Sequence, residues 1–324
     1  MTRGSMAFYN PQLYSHARAN CAALDLTQTR ASLLVTGEDR FSWLQGMVSS
    51  DVERLKRDHQ QSIPAFILDP TGHPLADFTI TAFNSNNEFS PDGSPCIVIS
   101  LPSETENAIT ALLESYIIME DVTLSSISHE CQQISLMGPA AHTVQLSPFL
   151  SLNNTKRDAY LEFLIPQTSI DHFRKLLEEN RIPFLDTETA ELLRIEDGLP
   201  MWGKEISPKV LAPEVDPNNI RSSTTKGCYV GQEIIARIAS RGHTNRQLTG
   251  LIFENVSCPN FEAAILDSDD REVGWVTSAT PISPAMQDQA IGLGFIRHEI
   301  VTNNDRVHLA DSNVKLHPLP FYKP

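Results

Sequence analysis

KGCYVGQE, residues 226–233, sets one of the chain's five cysteines in a specific context. Cys228 follows Lys226 and Gly227 and precedes Tyr229. It stands just ahead of GQEIIARIA, where Ile234, Ile235 and Ile238 share one face of a predicted short helix. Unpaired N–H groups at a helix start favour an anion, so a thiol within a turn of it is expected to ionise more readily, with Lys226 adding positive charge. Gly227 and Gly231 permit close backbone approach by a ligand. On local chemistry alone Cys228 reads either as an activated thiol or as a small packed residue, since free cysteines are often buried.

The surrounding sequence is basic. Arg221, Lys226, Arg237, Arg241 and Arg246 stand against one acid, Glu233. The 324 residues as a whole carry a formal net charge of -15, which argues against a general binder of nucleic acid or anionic membrane. A local cationic run in an acidic chain therefore invites a small anionic ligand. With 41% hydrophobic and 20% charged residues, the composition is that of a globular protein long enough for two or three domains. No apolar run approaches the roughly 18 residues of a membrane span, and the N-terminal sequence has no apolar signal core, so a cytoplasmic protein is expected. Cys21, Cys96, Cys131, Cys228 and Cys258 are far apart without a CxxC pair, and the histidines show no HxxxH or HxH. That spacing supports neither a disulfide framework nor a metal or cluster site.

Periodicity organises the rest. TENAITALLESYII (105–118), IDHFRKLLEENR (170–181) and ETAELLRIEDG (188–198) repeat apolar residues at helical spacing. PAFILD, DFTITAF, PCIVISL, VTLSSIS, QQISLMG and YLEFLIP read as strands between them. GLGFIR (292–297) lacks the third glycine of a dinucleotide-binding turn. After Arg246 the pattern changes to short alternating strands, LTGLIFENV, AAILD, EVGWVTSA, AIGLGFIR and VHLAD, with no helix-period stretch of useful length. The expectation is an α+β body over residues 1–245 and an all-β barrel or jelly roll over 246–324.

KGCYVGQE resembles the signature of the YgfZ family, folate-binding relatives of the glycine-cleavage aminomethyltransferase, or T-protein. ELLRIEDGLPMWGKEI (191–206), LAPE (211–214), ARIASRGHTNRQL (236–248) and VTGEDRFSWLQGMVSSDV (35–52) resemble further segments of that family, and GWVTSA and AIGLGFIR its terminal barrel. The resemblance implies an α+β, aminomethyltransferase-like fold: two interleaved α+β modules around a central folate cleft, then a C-terminal antiparallel barrel. It implies tetrahydrofolate, or a one-carbon derivative, as cofactor. Glu196 of Arg194-Ile195-Glu196-Asp197-Gly198 matches the glutamate that holds the pterin, a carboxylate suited to a bidentate contact with the 2-amino and N3–H groups. Lys226, Arg237 and Arg241 are candidates for folate contacts, the two arginines for the carboxylates of the glutamate tail by charge and nearness in sequence. Trp202 reads as a stacking partner for the ring or as core.

One departure bears on catalysis. The transferases carry GG-x-x-DD near the folate reaction centre, and Gly72-His73-Pro74-Leu75-Ala76-Asp77 stands in its place. Asp77 remains, while Ala76 replaces the other acid, which leaves open whether this chain is an enzyme. The family role implied is support of iron–sulfur cluster assembly or repair in client enzymes, including enzymes that thiomethylate tRNA, with Cys228 as the working thiol. The expected partners are then iron–sulfur enzymes or assembly proteins, without direct nucleic-acid contact and without a membrane. A folate-dependent aminomethyltransferase and a folate store without chemistry are the competing readings.

Overall fold

The computed structural model describes residues 8–56, 62–144, 146, 160–254, 259–310 and 312–323. Cys258, Asn255 and Val256 of LTGLIFENV, and Asp311 of VHLAD lie outside them. The chain forms two compact units: Ser15–Leu185 with Asn219–Ile235, and Met1–Tyr14 with Asp186–Asn218 and Ala236–Pro324. Helix α1 (Pro11–Ala19) precedes the first strand.

The first unit is built on β1 (Ala22–Asp25), β2 (Arg30–Thr36), β3 (Ser62–Leu68), β4 (Pro74–Phe83), β5 (Cys96–Pro102), β6 (Thr123–Ser126), β7 (Cys131–Met137) and β8 (Tyr160–Pro166). They make a five-stranded sheet, β3–β4–β5–β2–β6, and a three-stranded one, β1–β7–β8, with antiparallel pairing throughout. Side chains alternate across a strand, so each sheet has two faces to fill. On one face of the larger sheet, Leu33, Val35, Ala65, Ile67, Phe78, Ile80, Ile97 and Ile99 pack under Trp43 and Leu44 of α2 (Arg40–Met47) and Ile109 and Leu113 of α3 (Glu106–Glu114). The smaller sheet buries Ile134, Leu136, Phe163 and Ile165 against Phe173 and Leu177 of α4 (Ile170–Glu179). Between the sheets, Leu34, Cys96, Val98, Cys131 and Leu164 form an apolar patch. Beside it Ser100 donates to Gln133 at 2.7 Å, and Gln133 donates to Ser32 at 2.9 Å.

The second unit carries α5 (Thr187–Glu196), capped by Asp186, whose side chain accepts from the Thr189 N–H, and the short α6 (Ala212–Val215). After α7 (Gln232–Arg241), whose sequence spans both units, comes β9 (Arg246–Phe253). β10 (Ala264–Asp267), β11 (Glu272–Ser283), β12 (Gln289–Arg297), β13 (Val307–Leu309) and β14 (Ser312–His317) complete a closed barrel in the order β10–β11–β12–β9–β14–β13. Closure leaves the barrel no unpaired edge. Within the barrel, α8 (His298–Asn303) departs from the sequence-based expectation by interrupting the run of strands. Its six residues bury only Ile300, too little pattern for a helical period to register.

Candidate functional site

Asp77, Lys226 and Cys228 belong to the first unit, and Glu196, Trp202, Arg237 and Arg241 to the second. Cys228 is exposed, in the loop ahead of α7, whereas Cys21, Cys96 and Cys131 are buried. The loop is fastened from several sides. Lys226 Nζ donates to the carbonyls of Gln45 at 2.7 Å and Ser50 at 2.8 Å, and to that of Val48. Gln45 is in the last turn of α2 and Val48 is its C-cap, so the ammonium sits at the negative end of that helix. Burial pulls the Lys226 pKa down to about 8, with Asp51 acting the other way.

Serines and a tyrosine complete the support. Ser223 accepts from the Lys226 N–H at 3.1 Å, and its own N–H donates to Ser49 O at 2.8 Å. Ser49 Oγ accepts from Phe66 N at 2.8 Å and donates to the Arg221 carbonyl. Tyr229 is buried, donates from its hydroxyl to Ser223 O at 2.9 Å, and lies 4.8 Å from Lys226 Nζ, ring centroid to nitrogen. Gly231 has φ +81, and a Cβ there would stand 2.6 Å from the Asp69 carbonyl oxygen. Backbone packing therefore requires this glycine, while Gly227, next to the cysteine, faces open space.

Asp77 lies on β4 and pairs with Arg30 of β2, Oδ2 to Nη1 at 3.0 Å. Arg30 also donates to Ser100 Oγ at 3.1 Å and Ser100 O at 2.9 Å. The neighbouring Ala76 is on the opposite face of the strand, in the apolar layer under the helices.

In the second unit Glu196 is 0% exposed at the end of α5. Its Oε2 accepts from the Tyr14 hydroxyl at 2.9 Å, and its Oε1 accepts from Ser283 Oγ at 2.6 Å and Ala285 N at 3.3 Å. Arg194, two residues earlier, turns to other acids: Glu191 at 2.8 Å and Glu205 at 2.9 Å. Glu205 is itself fully buried and accepts from Thr277 at 2.8 Å and Ser278 at 2.6 Å. Trp202 is half-buried in the turn that follows. Arg237 and Arg241 are both exposed on α7 and, four residues apart, share one face; among the described residues neither makes an ion pair.

Tyr14 and Ser283 at Glu196, Arg30 at Asp77, and the Gln45–Ser50 carbonyls at Lys226 are absent from the sequence-based site. Their separations along the chain leave no local signal for most of them. Position 76 does carry a local signal, because ADFTITAF alternates as a strand and adjacent residues of a strand do not share a face.

No protein-family model matches the chain. Among curated proteins it is similar to the aminomethyltransferase of Natranaerobius thermophilus, 25% identical over 90% of this chain and 84% of that one. It is likewise similar to the aminomethyltransferase of Listeria monocytogenes, 23% identical over 90% and 84% of the two chains. Among solved structures, glycine cleavage system aminomethyltransferase T from Bartonella henselae superposes with a TM-score of 0.78 at 18% identity, covering 96% of this chain and 89% of the other. The fold is that of the aminomethyltransferases, mixed helix and sheet with a C-terminal antiparallel barrel. Together the sequence relatives and the shared fold support placing the chain in the glycine-cleavage T-protein-like superfamily.

Proposed function

We propose that this chain is a tetrahydrofolate-binding accessory protein for iron–sulfur enzymes, tRNA-thiomethylating ones among them, with Cys228 as its working thiol. The observation that carries the reading is the contrast among cysteines. Cys21, Cys96 and Cys131 are buried, while Cys228 is exposed on a loop whose lysine, serine and tyrosine are all engaged in holding it. A fixed, accessible thiol suits chemistry on a partner protein, and one cysteine alone does not hold a cluster, which takes four ligands. For the folate, Glu196 is a carboxylate of the kind that accepts two N–H donors from a pterin edge, and its oxygens accept from the Tyr14 and Ser283 hydroxyls. Arg237 and Arg241 are exposed cations of the kind a glutamate tail needs. Bound tetrahydrofolate supplies a carrier for a one-carbon unit.

The test is the activity of a tRNA-thiomethylating iron–sulfur enzyme in a strain lacking this protein, supplied with wild type or Cys228→Ser. Rescue by wild type alone supports the reading. Equal rescue by both takes the cysteine out of it, and an undisturbed enzyme sinks the accessory role.

A second reading, transfer of a one-carbon unit to tetrahydrofolate, is favoured by Asp77, held by Arg30, and by the names of the relatives. It predicts 5,10-methylenetetrahydrofolate formed from an aminomethyl donor, with activity lost in Asp77→Asn.

A further inference from the structure

Among the described residues, Ile118 and Met119 are the most exposed large hydrophobic side chains, 83% and 93% open to solvent. They stand together on the turn (115–122) that joins α3 to β6, while Ile117 beside them packs back against the core of the larger sheet. A scattered apolar side chain on a surface needs no explanation, but two adjacent ones on a fixed turn do. This turn is fixed. The Glu120 carboxylate accepts from the Ile118 N–H at 2.9 Å and the Met119 N–H at 3.0 Å. Asp121 is tied to the segment ahead of α2. Its carbonyl accepts from Asp39 N at 3.2 Å, its carboxylate accepts from Glu38 N at 3.0 Å, and its own N–H donates to Asp39 Oδ2 at 2.9 Å. Gly37, with φ +102, allows the approach, since a Cβ there would stand 2.0 Å from the Asp121 carbonyl oxygen. Asp39 is the N-cap of α2, yet its side chain makes no cap hydrogen bond and holds the turn instead.

The apolar tip is set in negative charge. Segments 37–40 and 114–121 carry Glu38, Asp39, Glu114, Glu120 and Asp121 against Arg40 alone. Such a surface repels an anionic membrane, and it repels the same turn on a second copy of a chain whose net charge is -15. It complements an apolar socket within a cationic surface. α2 links the turn to the cysteine loop. The helix starts at Arg40, next to the Asp39–Asp121 ties, and ends at the Gln45 and Val48 carbonyls that hold Lys226, two residues from Cys228. A helix of that length spans about 12 Å. A standard protein interface of about 800 Å² a side is wider than this, so one partner is large enough to cover both ends.

We propose that Ile118 and Met119 form a docking tip for a client protein that presents an apolar socket in a cationic surface, and that docking there brings the client to the Cys228 loop. The client's identity rests on the accessory reading above: an enzyme that thiomethylates tRNA binds a polyanion and so carries a cationic surface. The acids attract and orient the client, and the two apolar side chains enter its socket on a backbone already ordered by Glu120 and Asp39.

The experiment measures binding of the full chain to a purified tRNA-thiomethylating iron–sulfur enzyme over a range of salt concentrations. It compares wild type, Ile118→Ser with Met119→Ser, Ile118→Leu with Met119→Leu, and Glu38→Gln with Glu114→Gln. Wild type should bind, and more weakly as salt rises. The serine pair should bind about ten- to a hundredfold more weakly at an unchanged melting temperature, because both side chains are exposed. The leucine pair should stay within a few-fold of wild type, and the glutamine pair should flatten the salt dependence. Equal binding by wild type and the serine pair overturns the docking tip, and the accessory reading stands if wild type still rescues the enzyme in the strain lacking this protein. No binding by wild type overturns the docking tip as well. A wild-type dimer in sedimentation velocity that the serine pair disperses assigns the turn to a second copy and overturns the client. An enzyme undisturbed in that strain sinks the accessory reading, and the binding measurement then decides the docking tip alone.

Discussion

The Lys226 ammonium donates a 2.7 Å hydrogen bond to the carbonyl of Gln45, a residue 181 positions earlier. Two segments that look independent in sequence, FSWLQGMVSSDV and KGCYVGQE, are thereby one structure: the lysine of the second caps the helix of the first. The exposed thiol inherits its position from that cap.

Lys226→Met should destabilise the protein by about 2–4 kcal/mol, because three buried or half-buried carbonyls lose a charged donor. Chemical denaturation at pH 7 measures it. The same variant tests a pH effect. Below pH 8 both folded and unfolded chains hold the Lys226 proton. From about 8 to about 10.4 the unfolded chain keeps it while the folded chain, with its pKa drawn down to about 8 by burial, has shed it. Wild-type stability should therefore rise with pH across that window relative to Lys226→Met.

Arg194→Met should cost about 3–5 kcal/mol, since it strands Glu205, which is 0% exposed, without its cation. Replacing Glu191 alone should cost much less, its side chain being 25% exposed and shared with Lys204 at 2.8 Å. Paired thermal or denaturant melts separate the two.

Alkylation of the folded protein at pH 8 should modify Cys228 well ahead of Cys21, Cys96 and Cys131. Burial shields all three and pushes their thiols up, Cys96 to about 11, where its thiolate fraction at pH 8 is on the order of 10⁻³. Peptide mapping after a brief exposure to iodoacetamide reads the order. Equal labelling of the four would contradict the burial described.

Gly231→Ala should destabilise by at least ~1–3 kcal/mol, because φ +81 disfavours a side chain and the new Cβ would meet the Asp69 carbonyl oxygen. Gly227→Ala, with open space around it, should change stability little. A melting comparison of the two variants is sufficient.

Much of this architecture is legible in the sequence because burial imposes a period. Ile109 and Leu113, or Phe173 and Leu177, recur every four residues since one stripe of each helix faces a sheet. α2 escapes notice because it buries only Trp43 and Leu44 and has no stripe. The site is legible unevenly. Cys228 and Glu196 stand in long, specific segments, but the Tyr14 hydroxyl on Glu196 joins residues 182 apart, and no local pattern encodes such a pairing.

The division of the chain into units has a consequence for biosynthesis. Tyr14 precedes the whole sheet unit, yet it belongs with the barrel, whose last strand ends at His317. A nascent chain emerging from the ribosome can complete the sheet unit once Ile235 is clear, but the barrel unit has its first piece made early and its last made late. Until β14 arrives to pair with β9, the barrel presents two open strand edges. The interval between synthesis of Phe253 and His317 is when this protein is most exposed to association with other chains.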